Sequence, residues 1–390
     1  MSLSSDIRIG VAGAGAMGMG IAQVAAAAGH SVTIWDANPN ALKHNVQRLK
    51  EQLAQLEIKG KLAPGQAEAM LARINPTAQP EGFAGCKLVI EAIVEQLSIK
   101  QELFKSLETI CGPEAVLATN TSSLSIAAIG AACLHAQRVI GLHFFNPAPL
   151  MPLVEVIPAF FTNPDLTQEA LAWMRGWGKV PVLAKDTPGF IVNRIARPYY
   201  GEALRLYEEQ VADFATIDEA MRSRGFKMGP FELMDFIGHD VNYRVTETVF
   251  EQFFYDPRYK PSITQKRLFE AGCYGRKTGQ GYYRYADGAA LKPAPNQDSE
   301  LQRTISERIL VMLINEAAEA LHLGIGTAID LDLAMTKGVN YPKGLLAWAD
   351  EIGIEQVLEK LSALYDEYGE DRYRPSVLLK RMAKSGKTFF

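Results

Sequence analysis

The chain reads as a doubly wound α/β nucleotide-binding domain followed by two tandem all-helical domains. Three observations lead there. A glycine-rich turn joins a short buried strand to a helix near the start. Short apolar strands then alternate with helical stretches as far as residue 186, and beyond that point a helical pattern occurs twice. A length of 390 residues exceeds what one hydrophobic core usually supports. The expected division is 1–186 for the α/β domain, 187–285 for the first helical copy, 286–299 for a linker and 300–390 for the second copy.

The bulk composition excludes several classes. Apolar residues make up 48% and charged residues 22%, and the formal net charge is −4. Such a chain has no global attraction to nucleic acid or to an anionic membrane. No run approaches the roughly 18 to 20 apolar residues that span a bilayer. The stretch Met1-Ser-Leu-Ser-Ser-Asp6 lacks the serial regions of a signal peptide, so a cytoplasmic protein is expected. Cys86, Cys111, Cys133 and Cys273 are widely spaced and read as reduced thiols, and no metal site is expected.

The first strand covers residues 7–12, Gly13-Ala-Gly-Ala-Met-Gly18 follows, and a helical run ends at Gly29. The next strand, residues 31–35, finishes at Asp36. This strand–turn–helix–strand–Asp order is the full context of the dinucleotide fingerprint. Gly13 permits the tight turn, Gly15 lets backbone approach a pyrophosphate, and Gly18 allows close helix–strand packing. The helix start at Ala16 and Met17 offers free N–H groups to phosphate. Asp36 can accept both ribose hydroxyls and would repel a 2′-phosphate, which favours NAD over NADP.

Residues 38–73 read as an inserted helical pair broken at Pro64-Gly65, with Lys50, Lys59 and Lys61 on it. Such a face is either merely solvated or an arm that offers lysines, Lys59 among them, to an anionic substrate tail. Residues 87–93 form the next strand, with Glu95 and Lys100 just beyond. Residues 116–123 form another, which breaks into a hydroxyl-rich turn before a helix. Ligands in open α/β sheets lie outside the carboxyl ends of the strands, so Asn120, Ser122 and Ser123 are placed to reach one. One serine is expected to cap the following helix and the other to bind.

His143 then arrives on a strand, and an apolar strand containing Glu155 follows a loop with Pro147, Pro149 and Pro152. A lone acid in such a strand is costly to bury unless its charge is compensated. His143 and Glu155 are therefore read as an acid/base pair, and residues 180–183 as the strand that closes the sheet.

From Asp186 onward the pattern is helical. Glu202…Ile217-Asp-Glu-Ala-Met221 matches Glu316…Leu331-Asp-Leu-Ala-Met335 at an offset of 114, and Tyr259-Lys-Pro-Ser262 matches Tyr373-Arg-Pro-Ser376 at the same offset. Asn193 has no counterpart in the second copy, which is read as structural.

At this point the chain resembles the L-3-hydroxyacyl-CoA dehydrogenase family over essentially its whole length. The resemblance rests on residues 13–22, Glu91-Ala-Ile-Val-Glu95, Asn120-Thr-Ser-Ser123, His143-Phe-Phe-Asn-Pro147 with Glu155, and Pro188-Gly-Phe-Ile-Val-Asn-Arg194. It implies a Rossmann-like domain followed by helical domains like the C-terminal domain of 6-phosphogluconate dehydrogenase. It also implies NAD-dependent oxidation of a 3-hydroxyacyl-CoA, with His143 as general base, Glu155 as its partner, and Ser122 and Asn193 as ligands of the substrate oxygen. Glu95, Lys100, Asn146 and Lys277 match family positions near NAD. Residues 194–211, Tyr341 to Trp348 and Tyr373-Arg-Pro-Ser376 resemble phenylacetate-pathway members that oxidise 3-hydroxyadipyl-CoA; a role in fatty-acid β-oxidation is the other expectation. Two rival classes are a crystallin-like structural member and a β-hydroxyacid dehydrogenase of the 6-phosphogluconate type, which uses a catalytic lysine. Single-copy members dimerise through their helical domains, so either a monomer in which the duplicated copy forms a pseudo-dimer or a homodimer is expected.

Overall fold

The apolar run at the start of the chain sets the frame of the first unit. In a computed structural model, which describes residues 7–390, the chain divides into two units, Met1–Thr187 and Pro188–Phe390. The strands of the first are β1 (Ile9–Ala12), β2 (Val32–Trp35), β3 (Ile74–Pro76), β4 (Leu88–Glu91), β5 (Val116–Thr119), β6 (Val139–Phe144), β7 (Leu153–Pro158) and β8 (Val180–Leu183). They form one sheet in the order β3-β2-β1-β4-β5-β6-β7-β8, and every neighbouring pair is parallel except β6 and β7. The order reverses direction beside β1, which makes the β1–β4 border the switch point where ligands of such sheets gather. All four residues of β1 and of β4 are buried, as expected of strands covered on both faces.

Among the described residues this unit holds the α-helices α1 (Ala16–Ala27), α2 (Pro39–Ile58), α3 (Gln66–Leu71), α4 (Leu97–Cys111), α5 (Ile126–Gly130) and α6 (Pro164–Gly176). α1 packs its alanine-rich length on the sheet, where Ile21, Ala22, Ala25 and Ala26 join the core with Val11, Ile34 and Ile90. α2 and α3 are the inserted pair; Leu42, Leu49 and Leu53 form the buried stripe of α2. The strand β3 was not foreseen. Only its Ile74 is buried, and it ends in Pro76, which a sheet tolerates at an edge.

The second unit begins with α7 (Val192–Ile195), α8 (Arg197–Glu208), α9 (Phe214–Arg222), α10 (Pro230–Ile237), α11 (His239–Gln252) and α12 (Ile263–Glu270). Its second half holds α13 (Ser299–His322), α14 (Ala328–Gly338), α15 (Leu345–Ile352), α16 (Ile354–Tyr368) and α17 (Val377–Ser385). Between the halves lies a hairpin of β9 (Arg284–Ala286) and β10 (Ala289–Leu291), which occupies part of the expected linker. Its turn is Asp287-Gly288, both with positive φ, the sequence that favours a two-residue hairpin.

A reciprocal charge exchange joins the two halves. Glu316 accepts hydrogen bonds from Arg194 Nε and from the Tyr259 hydroxyl, both at 2.6 Å. At the positions 114 residues apart, Glu202 accepts from the Tyr373 hydroxyl at 2.8 Å and faces Arg308 Nε at 3.5 Å. Each half thus supplies the carboxylate that the arginine and tyrosine of the other require. Arg194 is 1% exposed and Glu316 is buried. Removing one member of such a pair strands a charge in a low-dielectric interior. Glu316→Leu should therefore lower the unfolding free energy of the chain by about 3 to 5 kcal/mol in chemical denaturation; a loss within experimental error would contradict the structural weight given to this exchange.

Candidate active site

The fingerprint turn is built as its glycines require. At Gly18 a Cβ would fall 1.8 Å from the Gly13 carbonyl oxygen. Gly13 itself has φ +106°, and a Cβ there would lie 2.5 Å from the Ala92 carbonyl oxygen. Gly15 has open space around its missing side chain, so the start of α1 offers backbone to a ligand without obstruction. Asp36 follows β2 and accepts the Ala14 N–H at 2.7 Å and the Asn38 N–H at 2.8 Å, which ties its carboxylate to the glycine turn. Asn45 of α2 donates to the Ala14 carbonyl at 2.9 Å and braces the same turn. Ala16 is exposed and Met17 is half-buried, packed against the core. The residues present fit a dinucleotide.

At the carboxyl ends of β4 and β5 lies a polar network, buried at Glu91, Lys100 and Thr119 and exposed at Glu95. Lys100, 1% exposed, reaches from α4 to Glu91 at 2.6 Å and to Glu95 at 3.1 Å. Glu91 also accepts the Thr119 hydroxyl at 2.7 Å and the Ile93 N–H at 2.7 Å. Glu95 accepts the Thr121 hydroxyl, the Ser122 N–H at 2.9 Å and the Ser123 hydroxyl at 3.2 Å. Burial opposes ionisation of Glu95, but the Lys100 charge and the Thr121 and Ser122 hydrogen bonds outweigh it and hold its carboxyl below the ordinary 4.5. The loop that carries Ser122 is thereby wrapped around a carboxylate.

This wrapping corrects the expectation that Ser122 or Ser123 caps the next helix. The cap of α5 is Ser125, whose hydroxyl accepts the Ala128 N–H, and Asp186 adds a carboxylate to the N–H groups of Ile126 and Ala127. Asn120 uses its side-chain oxygen to accept the Phe144 N–H at 2.8 Å, which pins the end of β6 to the end of β5.

His143 and Glu155 stand directly opposite each other in the antiparallel β6–β7 pair. His143 Nδ1 lies 2.6 Å from a Glu155 carboxylate oxygen, and the Glu155 side chain is 0% exposed. The imidazole is nearly buried and packs against Phe145, with ring centroids 4.5 Å apart. A carboxylate on Nδ1 fixes the Nδ1–H tautomer and leaves the Nε2 lone pair as the base.

Asn146 is exposed in the loop after β6 and lines a groove with residues of α1 and α2. Lys59 is exposed at the C-cap of α2, beyond that groove. Asn193 and Lys277 belong to the second unit. Asn193 lies in α7, where its carbonyl accepts Arg197 Nε at 2.8 Å; Lys277 pairs with Asp240 and has Tyr274 beside it, 5.8 Å to the ring centroid. The residues to which sequence reading gave no role of their own are Glu91, Thr119 and Thr121. Glu91 ends an apolar strand, the same signal that singled out Glu155.

A glycine-turn cradle for a dinucleotide beside a carboxylate-supported imidazole defines a nicotinamide-dependent oxidoreductase. Comparison with known proteins sharpens this. The NAD binding domain of 3-hydroxyacyl-CoA dehydrogenase matches residues 8–187, and the C-terminal domain of 3-hydroxyacyl-CoA dehydrogenase matches residues 189–285 and again 305–388. The chain therefore belongs to the 3-hydroxyacyl-CoA dehydrogenase family and is an NAD-dependent oxidoreductase. It is 37% identical to the 3-hydroxyadipyl-CoA dehydrogenase of Escherichia coli K12, covering 96% of this chain and 97% of that one. It is 41% identical to a probable 3-hydroxybutyryl-CoA dehydrogenase of Bacillus subtilis, over 72% of this chain and 98% of the other. The crystal structure of 3-hydroxybutyryl-CoA dehydrogenase from E. coli K12 superposes with a TM-score of 0.91 at 36% identity, covering 98% of this chain and 100% of that one.

The network around Lys100 makes a prediction with a definite sign. With its carboxyl held below 4.5, Glu95 contributes fully to stability above that pH and loses the contribution as acidification passes the lowered value. In Lys100→Met the carboxylates lose their cation, so the variant should be destabilised near neutral pH. Because protonation relieves Glu95, the deficit should shrink as the pH falls through the ordinary 4.5 and below in denaturation curves. A deficit that is constant across this range would refute the assignment of Lys100 as their counter-ion.

Proposed function

We propose that His143, supported by Glu155, is the general base in oxidation of an (S)-3-hydroxyacyl-CoA to the 3-oxoacyl-CoA, and the matching acid in the reverse direction. The observation that carries this reading is the 2.6 Å contact between His143 Nδ1 and the fully buried Glu155 carboxylate. NAD, which the Gly13–Gly18 turn and Asp36 would hold, would supply the hydride acceptor. His143 Nε2 takes the hydroxyl proton as the C3–H bond is broken, and the new imidazolium is stabilised by Glu155 at no cost in reorganisation. Ser122 is assigned to the substrate oxygen, with the Glu95 carboxylate holding its backbone in place. Asn193, from the second unit, is assigned the same task on the strength of the family resemblance, and Lys277 and Asn146 are assigned to the cofactor on that ground. Lys100 is assigned an indirect part, through Glu91 and Glu95.

The names of the relatives support either 3-hydroxyadipyl-CoA or 3-hydroxybutyryl-CoA as substrate. The ratio of kcat/KM for these two thioesters, followed as NADH formation, decides between them. The repeated match of the C-terminal family domain and the reciprocal Arg194–Glu316 and Arg308–Glu202 contacts support a duplicated helical module that makes a pseudo-dimer within one chain. We place the protein in the cytoplasm: its cysteines are free thiols, and among the described residues no helix is long and apolar enough to cross a membrane.

His143→Gln should lower kcat by about a thousandfold while NAD still binds, since general-base catalysis contributes roughly 10² to 10⁴. Retention of near-native turnover would remove His143 from the chemistry. Glu155→Gln keeps the shape but loses the charge and the tautomer preference; a fall in kcat of about 10²-fold or more is expected, and unchanged kinetics would dissolve the pair.

A further inference from the structure

We propose that Lys179 is a positioning residue for the cofactor: its buried ammonium clamps the loop after β6, which carries Asn146, where that loop packs on α1. The proposal rests on the reading given above, in which Asn146 serves the cofactor. The sheet topology puts this lysine at the ligand edge. β6 runs parallel to β5, so its carboxyl end lies with those of β4 and β5. β7 and β8 run the other way, which brings their amino ends to the same edge. Lys179 directly precedes β8 and is 8% exposed. Its Nζ donates to the Ala148 carbonyl at 2.5 Å and to the Met151 carbonyl at 2.9 Å. Both carbonyls belong to the loop between β6 and β7.

Among the described residues no carboxylate pairs with this ammonium, and burial holds it below the ordinary 10.5. A buried cation without a counter-ion costs stability. A methionine would fill the same slot without that cost, so what the lysine adds is its grip on two carbonyls of one loop. That loop sits close on the helix of the glycine turn. Ala148 is 1% exposed, and a Cβ at Gly20 of α1 would lie 3.2 Å from Ala148 Cβ and 3.2 Å from Pro149 Cδ. Asn146 stands two residues before the clamped carbonyl of Ala148. His143 is anchored separately, by Glu155 and by the Asn120 contact to the Phe144 N–H. Releasing the clamp therefore shifts the loop with Asn146 and leaves the imidazole where it is.

Cofactor affinity and turnover of the full chain, measured side by side, test this. In Lys179→Met the Kd for NADH, read from NADH fluorescence without substrate, should rise about tenfold, the scale of one lost hydrogen bond. The KM for NAD should rise with it, while kcat at saturating NAD and 3-hydroxybutyryl-CoA stays within about threefold of the unaltered protein. A lysine that served only the stability of the fold would, when replaced, lower the active fraction and hence kcat with the Kd for NADH unchanged. That pattern overturns the proposal. Gly20→Ala presses a methyl group on the same loop without removing a buried charge, and it too should weaken NADH binding. Unchanged NADH affinity in Gly20→Ala would overturn the coupling of loop to cofactor even if Lys179→Met did not fold. NADH binding is read without substrate, so a failure of the proposed reaction, seen as no turnover of 3-hydroxybutyryl-CoA by the unaltered protein, is distinct from a failure of the clamp, which the Kd for NADH decides.

Discussion

A carboxylate buried between two strands is the constraint around which the first unit is arranged. Glu155 is fully covered in β7, and a charge in that position survives only where a partner meets it in good geometry. The antiparallel register of β6 and β7 brings His143 directly opposite. A slip of one residue would turn every side chain of β7 to the other face and strand the acid in the core. This pairing is the one antiparallel contact in an otherwise parallel sheet. The departure from parallel order and the placement of His143 against Glu155 are therefore the same event.

The remaining polar groups of that unit follow a similar logic at larger scale. Glu91, Glu95 and Lys100 join the ends of β4 and β5 with α4, and the loop bearing Ser122 folds around the second of these acids. Asn120 then links β5 to β6. Strand ends that would otherwise fray are locked to one another beside the switch point of the sheet. Side chains there are held in single arrangements before any ligand arrives, which is what catalytic precision demands.

Much of this was legible in the amino-acid sequence. Gly13 and Gly18 have steric causes that the structure makes explicit, and a lone Glu155 in an apolar strand asked for a partner, for which His143 on the preceding strand was the candidate. Other features were not legible, for physical reasons. β3 has one buried residue and a terminal proline, too little pattern to mark a strand. The cap of α5 went to Ser125 because Glu95 had already claimed the backbone of Ser122, a contact between residues 27 apart that no local preference reports. Glu91 carried the same mark as Glu155 and could have been found by the same argument.

The exchange between the halves of the second unit has a consequence for how this protein responds to dilution. Where two separate chains trade an arginine and a glutamate across an interface, the contact weakens as concentration falls, because every encounter must be repeated in solution. Here Arg194 meets Glu316, and Arg308 meets Glu202, along one continuous backbone. The local concentration of each partner is set by the connecting chain and not by the number of molecules present, and is of millimolar order for a short tether. The exchange is thus insulated from abundance: a cell holding few copies keeps it as fully formed as a cell holding many.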